Sequence, residues 1–168
     1  MFSKIKIFGH PVHPMLIAYP IAAYTGTLVG YSVYAATGGT FWLNLAIALN
    51  VAGVGMAVVA AVPGFIDWAF GIPRGTGAKK DGIKHGLLNS AAIVLFAITL
   101  GVYASHWNGP ATSATAGVVL AAIGWLCTLA AGWYGWMLVQ GWHVGVDLHE
   151  SQVRSEPVLQ EARARKAS

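Results

Sequence analysis

Residues 7–66 read IFGHPVHPMLIAYPIAAYTGTLVGYSVYAATGGTFWLNLAIALNVAGVGMAVVAAVPGFI, sixty residues without an Asp, Glu, Lys or Arg. One membrane span needs about 20 apolar residues, so this block holds two, and Thr37-Gly38-Gly39-Thr40 between them is too short for anything but an antiparallel turn. A second uncharged block, residues 85–146, repeats the arrangement after a basic connection. The whole chain is 56% hydrophobic and 10% charged, against roughly 25% charged in a soluble domain. The expected fold is therefore all-α: an integral membrane, antiparallel four-helix bundle with spans at about 14–36, 41–66, 85–105 and 116–140. These form one domain over residues 1–150, and residues 151–168 form a polar, basic tail.

The ten Lys and Arg residues set the orientation. Lys4 and Lys6 precede the first span, Arg74, Lys79, Lys80 and Lys84 lie between the second and third, and Arg154, Arg163, Arg165 and Lys166 follow the fourth. Neither opposite turn carries one, so both termini and the middle loop are expected in the cytoplasm, N-in and C-in. Trp42 and Trp107 then mark the outer interface, Trp68 and Trp142 the inner. The first apolar run outlasts the h-region of a signal peptide, about 7–15 residues, so it is read as a retained span. Topology accounts for the net charge of +4, which implies no nucleic-acid partner. The single cysteine, Cys127, excludes an intrachain disulfide and a thiolate metal cluster. No hydrolase or transferase motif is present.

Within the spans, Pro20 predicts a kink. Ala22, Gly26 and Gly30, and again Gly53, Ala57 and Ala61, form small-residue stripes suited to close helix packing or to a homodimer. Gly71 to Lys84 reads as a solvated loop.

The histidines carry the chemistry. His10 and His13 each precede a proline, which disfavours helical backbone at both and suits Pro14 to the first helical position. The positive end of the helix dipole there keeps imidazole neutral and able to ligate a metal. Topology puts His10, His13, His85, His143 and His149 at the cytoplasmic end with Asp67, leaving His106 alone outside. Asp67 at a helix C-terminus needs a compensating partner, for which His85, Lys84 and Arg74, or a bound cation, are the candidates. In an up-down bundle the first and third spans are diagonal, so His13 and His85 can face each other across the core. That suits bis-imidazole ligation of haem b. Alternatively His10, His13 and His85 with Asp67 make a three-nitrogen, one-oxygen site for one transition-metal ion, with Asn89 and Asp67 behind the ligands and His143 of low weight. Two readings without a cofactor stand beside these: an interaction or assembly subunit, and a small proton or solute transporter. The halves look loosely duplicated, each entered by a histidine (His13, His85) and left by an aspartate (Asp67, Asp147).

Three stretches together, His10-Pro11-Val12-His13-Pro14-Met15-Leu16 with Pro20, Pro63-Gly64-Phe65-Ile66-Asp67-Trp68, and His85-Gly86-Leu87-Leu88-Asn89, resemble an uncharacterised family of bacterial four-span inner-membrane domains. The resemblance covers about residues 9–146, and its most specific part is the paired His-Pro steps. Val144-Gly145-Val146 also resembles the family, whereas Gln140-Gly141-Trp142-His143 stands where relatives carry an aromatic-Arg-His-Gly run, which sets His143 last among the candidates. The resemblance implies the bacterial cytoplasmic membrane. Some members are associated with Rieske-type iron–sulfur domains, which implies electron transfer and a redox partner of that kind.

Overall fold

The computed structural model describes residues 3–146 together with Ser151. A two-residue hairpin opens the described chain: β1 (Lys6–Ile7) pairs antiparallel with β2 (His10–Pro11). Its turn residues Phe8 and Gly9 both have positive φ, 48° and 83°, the condition for a type I′ turn. Four helices long and apolar enough to cross a bilayer follow, over Val12–Thr37, Thr40–Gly71, Gly77–His106 and Thr115–Gly141. They comprise α1 (Val12–Leu16) with α2 (Ala18–Thr37), α3 (Thr40–Ile66), α4 (Gly77–Tyr103) and α5 (Thr115–Trp136). A π-helical turn extends α3 over Asp67–Gly71 and another extends α5 over Met137–Gly141. Helix α2 packs on α3 and α5, and α4 packs on the same two, so α2 and α4 are diagonal. This is the expected all-α membrane bundle.

Three boundaries differ from those read in the sequence. His13 lies inside α1, because the helix begins at Val12 with Pro11 as its N-cap; Pro14 is still in the first turn, where its missing N–H is no loss. The break falls at Ile17, one turn ahead of Pro20, since the proline ring opposes the carbonyl four residues back. Helix α4 begins at Gly77, not at residue 85, with Thr76 as N-cap accepting from the Lys79 amide at 3.2 Å. Hydropathy locates the edge of the apolar layer and not the end of the helix. Lys79, Lys80 and Lys84 of the expected loop therefore ride on its first turns, and Arg74 precedes them. Lys79 uses its ammonium to cap the preceding π turn, donating to the Trp68 and Ala69 carbonyls and lying 4.1 Å from the Trp68 ring centre.

The core is a column of aromatic pairs along the diagonal. Tyr24 stacks on Phe96 with centroids 3.7 Å apart, and Tyr31 meets Tyr103 at 4.7 Å. Each such pair adds about 0.5–1.5 kcal/mol beyond its area. That matters in lipid, where packing rather than the hydrophobic effect holds helices together. Glycine makes room: a Cβ at Gly53 would lie 2.7 Å from the Tyr24 ring, and one at Gly124 2.8 Å from Phe96. His13 and His85, Tyr24 and Phe96, Thr27 and Thr99, Tyr31 and Tyr103 are all 72 positions apart; Gly53 and Gly124 are 71 apart. The two hairpins thus place matching residues at matching positions along the bundle. The register differs from the aspartate pairing read in the sequence. Asp67 opens the first π turn where Met137 opens the second, and Asp147 lies outside the described residues.

Candidate functional site

Each hairpin delivers one imidazole to the same end of the bundle. Nδ1 of His13 is 2.8 Å from the Ala60 carbonyl oxygen on α3, and Nδ1 of His85 is 2.8 Å from the Ala131 carbonyl oxygen on α5. A carbonyl only accepts, so both Nδ1 atoms donate and each lone pair is left on Nε2. The two rings meet edge to face, centroids 6.0 Å apart and planes at 90°.

The carbonyls are reachable because of what stands one turn later. A helical side chain leans over the turn N-terminal to its own Cα, so the residue four beyond Ala60 or Ala131 would cover that oxygen. Those residues are Gly64 and Gly135, and the imidazoles occupy the space. A Cβ at Gly64 would lie 2.7 Å from His13 Nδ1, and one at Gly135 3.1 Å from His85 Cε1. Ala60-x-x-x-Gly64 and Ala131-x-x-x-Gly135 are 71 positions apart like the rest of α3 and α5. This signal was present in the sequence and was missed, because small-residue spacing was read there as helix packing alone.

Asn89, one turn along α4 from His85, breaks the symmetry. Its Nδ2 is 3.2 Å from His85 Nε2 and donates to the His85 carbonyl at 3.0 Å. Both nitrogens of His85 are thereby engaged. The position answering Asn89 in the first half is Ile17, and no hydrogen bond to His13 Nε2 is formed among the described residues.

The other candidates are elsewhere. His10 sits exposed on β2 with Nδ1 2.9 Å from the Phe8 carbonyl oxygen of its own turn. His143 lies in the loop after α5 with a left-handed φ of 51°. His106 is at the opposite end, 6.1 Å from the Tyr103 ring, and His149 lies outside the described residues. Asp67 does not take its expected partners His85, Lys84 or Arg74. Its carboxylate accepts from the Ser3 hydroxyl at 2.7 Å and from the amides of Lys4 and Ile5 at 2.5 and 3.3 Å. Lys84 is paired instead with Asp81 at 3.3 Å. Backbone donors from the N-terminal segment thus offset the unfavourable dipole position of Asp67. Among the described residues no three His, Cys, Asp or Glu side chains converge as a metal-binding group; the assembled set is His13, His85 and Asn89. Asp67→Ala should release the N-terminal segment, speeding hydrogen exchange at the Lys4 and Ile5 amides by about 5–150-fold, from a loss of roughly 1–3 kcal/mol, with His13 and His85 unaffected. Unchanged protection of those amides would contradict the latch.

Residues 9–148 match the family model described as Predicted membrane protein (DUF2231). The chain belongs to that family. The match takes in both hairpins and both imidazoles of this DUF2231 chain. No curated protein and no solved structure gives a significant match.

Proposed function

We propose that this DUF2231 protein binds a single transition-metal ion between His13 and His85, at the cytoplasmic end of an inner-membrane bundle, and serves electron transfer. The observation that carries the reading is the paired anchoring of both imidazoles: each donates Nδ1–H to a fixed backbone carbonyl and rests on a glycine. Metal-ligating histidines are oriented in this way, by a hydrogen bond from the nitrogen that does not bind the metal. Imidazole ligands suit copper and iron, which also have the one-electron couple that electron transfer needs, and the Asn89 amide could complete or gate the set by releasing His85 Nε2. The rings are in edge contact at 6.0 Å, which favours an ion, bound about 2.0–2.1 Å from each nitrogen, over haem b. A macrocycle would need α1 parted from α4. The ion would supply a one-electron couple; the chain's own part is to fix the ligands and keep them dry. The cytoplasmic orientation rests on the distribution of Lys and Arg, and a redox partner of Rieske type rests on the family resemblance.

One observation favours a cofactor-free assembly subunit: both nitrogens of His85 are already satisfied within the protein. A single preparation separates the two readings. Protein purified in detergent should carry about one metal ion per chain, absent from His13→Ala and His85→Ala, and show no Soret band before or after dithionite. A folded sample with no stoichiometric metal would favour the assembly subunit, and a Soret band lost in either variant would restore haem.

A further inference from the structure

Among the described residues, three side-chain atoms in the bundle core are buried without a hydrogen-bond partner: the hydroxyls of Tyr24 and Tyr31, and Oδ1 of Asn50. Tyr31 and Asn50 are 0% exposed. The other amide atom of Asn50 is used, donating to the Phe96 carbonyl at 3.1 Å, and Thr27 and Thr99 return their hydroxyls to Ala23 and Leu95. The unpartnered atoms all belong to the middle of the spans. Tyr24 stands twelve residues into its span and Asn50 ten residues in from the opposite end, about 18 and 15 Å at 1.5 Å per residue. Tyr31 stands two turns beyond Tyr24 on α2, with the Asn50 side chain beside its hydroxyl.

Packing does not require these polar atoms, and the molecule itself shows it. The second hairpin builds the same layer with Phe96 in the place of Tyr24 and Ala121 in the place of Asn50. Where it keeps the tyrosine, as Tyr103, the hydroxyl is satisfied by donating to the Ser113 carbonyl at 2.7 Å and accepting from the Gly117 amide at 2.9 Å. Among the described residues, only the first hairpin presents spare hydrogen-bonding capacity to the axis, at a depth where lipid supplies none. We propose that the hydroxyls of Tyr24 and Tyr31 and Oδ1 of Asn50 bind buried water near the middle of the bilayer. The complement suits it: a carbonyl-type acceptor and hydroxyls that donate or accept, the kinds of partner a buried water takes. No charged group lines this layer, so the ligand is neutral and not an ion. The inference stands independently of the metal reading.

Solid-state NMR on the full chain in lipid bilayers tests it, by transferring magnetisation from water to protein. The Asn50 side-chain amide and the Tyr31 ring carbon bearing the hydroxyl should receive it several times faster than the Phe96 ring and the Ala121 methyl at the same depth. Tyr31→Phe should slow the transfer at Asn50. Transfer to Asn50 and Tyr31 in the unaltered protein no faster than to Phe96 overturns the proposal, whether or not the variant folds.

Discussion

Leucine at Gly30 is expected to be the most damaging single substitution in the bundle. A Cβ there would lie 2.9 Å from Ala46 Cβ and 3.2 Å from both the Cα and the amide nitrogen of Ala46, so it meets backbone, which cannot turn aside. Helices α2 and α3 must separate, and overpacking of this kind destabilises by about 3 kcal/mol. At about 2–4 °C per kcal/mol for a chain of this size, the melting temperature in detergent should fall by roughly 6–12 °C. Two other glycines calibrate the result. Gly26 abuts only the end of the Leu49 side chain, which can rotate, and Gly55 has nothing within 4 Å. Gly26→Ala should therefore be milder, and Gly55→Ala neutral or stabilising by about 0.5–1 kcal/mol from helix propensity. A Gly30→Leu protein that melts with the Gly55→Ala variant would refute this packing of α2 on α3.

The second large effect falls on the histidines without touching them. Gly64→Ala drives a methyl group into His13 Nδ1 and so breaks its bond to Ala60, while the helix itself gains propensity. Loss of such an orienting bond typically lowers metal affinity about 10–100-fold, and that is the drop expected in a metal titration. Gly135→Ala should weaken binding less, because its methyl would stand 3.1 Å from His85, a few tenths of an ångström farther than at His13. Asp67→Ala should leave affinity unchanged, since Asp67 holds the N-terminal segment. The reverse order, with Asp67→Ala more harmful than Gly64→Ala, would return Asp67 to the site and remove the carbonyl anchors from it.

Some of this was legible in the residues and some was not, for physical reasons. Four spans follow from two uncharged blocks of about sixty residues, because burying charge in lipid is costly enough to leave a visible gap. The meeting of His13 with His85 follows from topology, since the first and third helices of an up-down bundle start at one end on opposite corners. Charge pattern could not reveal where Asp67 spends its carboxylate. Its partners are the hydroxyl of Ser3 and two backbone amides, and backbone donors are the same at every residue. The anchoring of both imidazoles was hidden likewise, its acceptors being main-chain carbonyls exposed by Gly64 and Gly135. The duplication was visible only faintly, because the second hairpin keeps the layer positions of the first while exchanging Tyr24 for Phe96 and Asn50 for Ala121. The early start of α4 escaped because lysines that leave the membrane still continue a helix.

The claim on which the account turns is that the two hairpins give one imidazole each to a common metal ion. Pulsed electron paramagnetic resonance on the protein loaded with one equivalent of Cu(II) reads this directly, since it counts coordinated imidazoles through their remote nitrogens. Two imidazoles are expected in the unaltered protein and in His10→Ala, and at most one, on weakly held copper, in each of His13→Ala and His85→Ala. No bound copper, or a spectrum indifferent to both substitutions, would contradict the account.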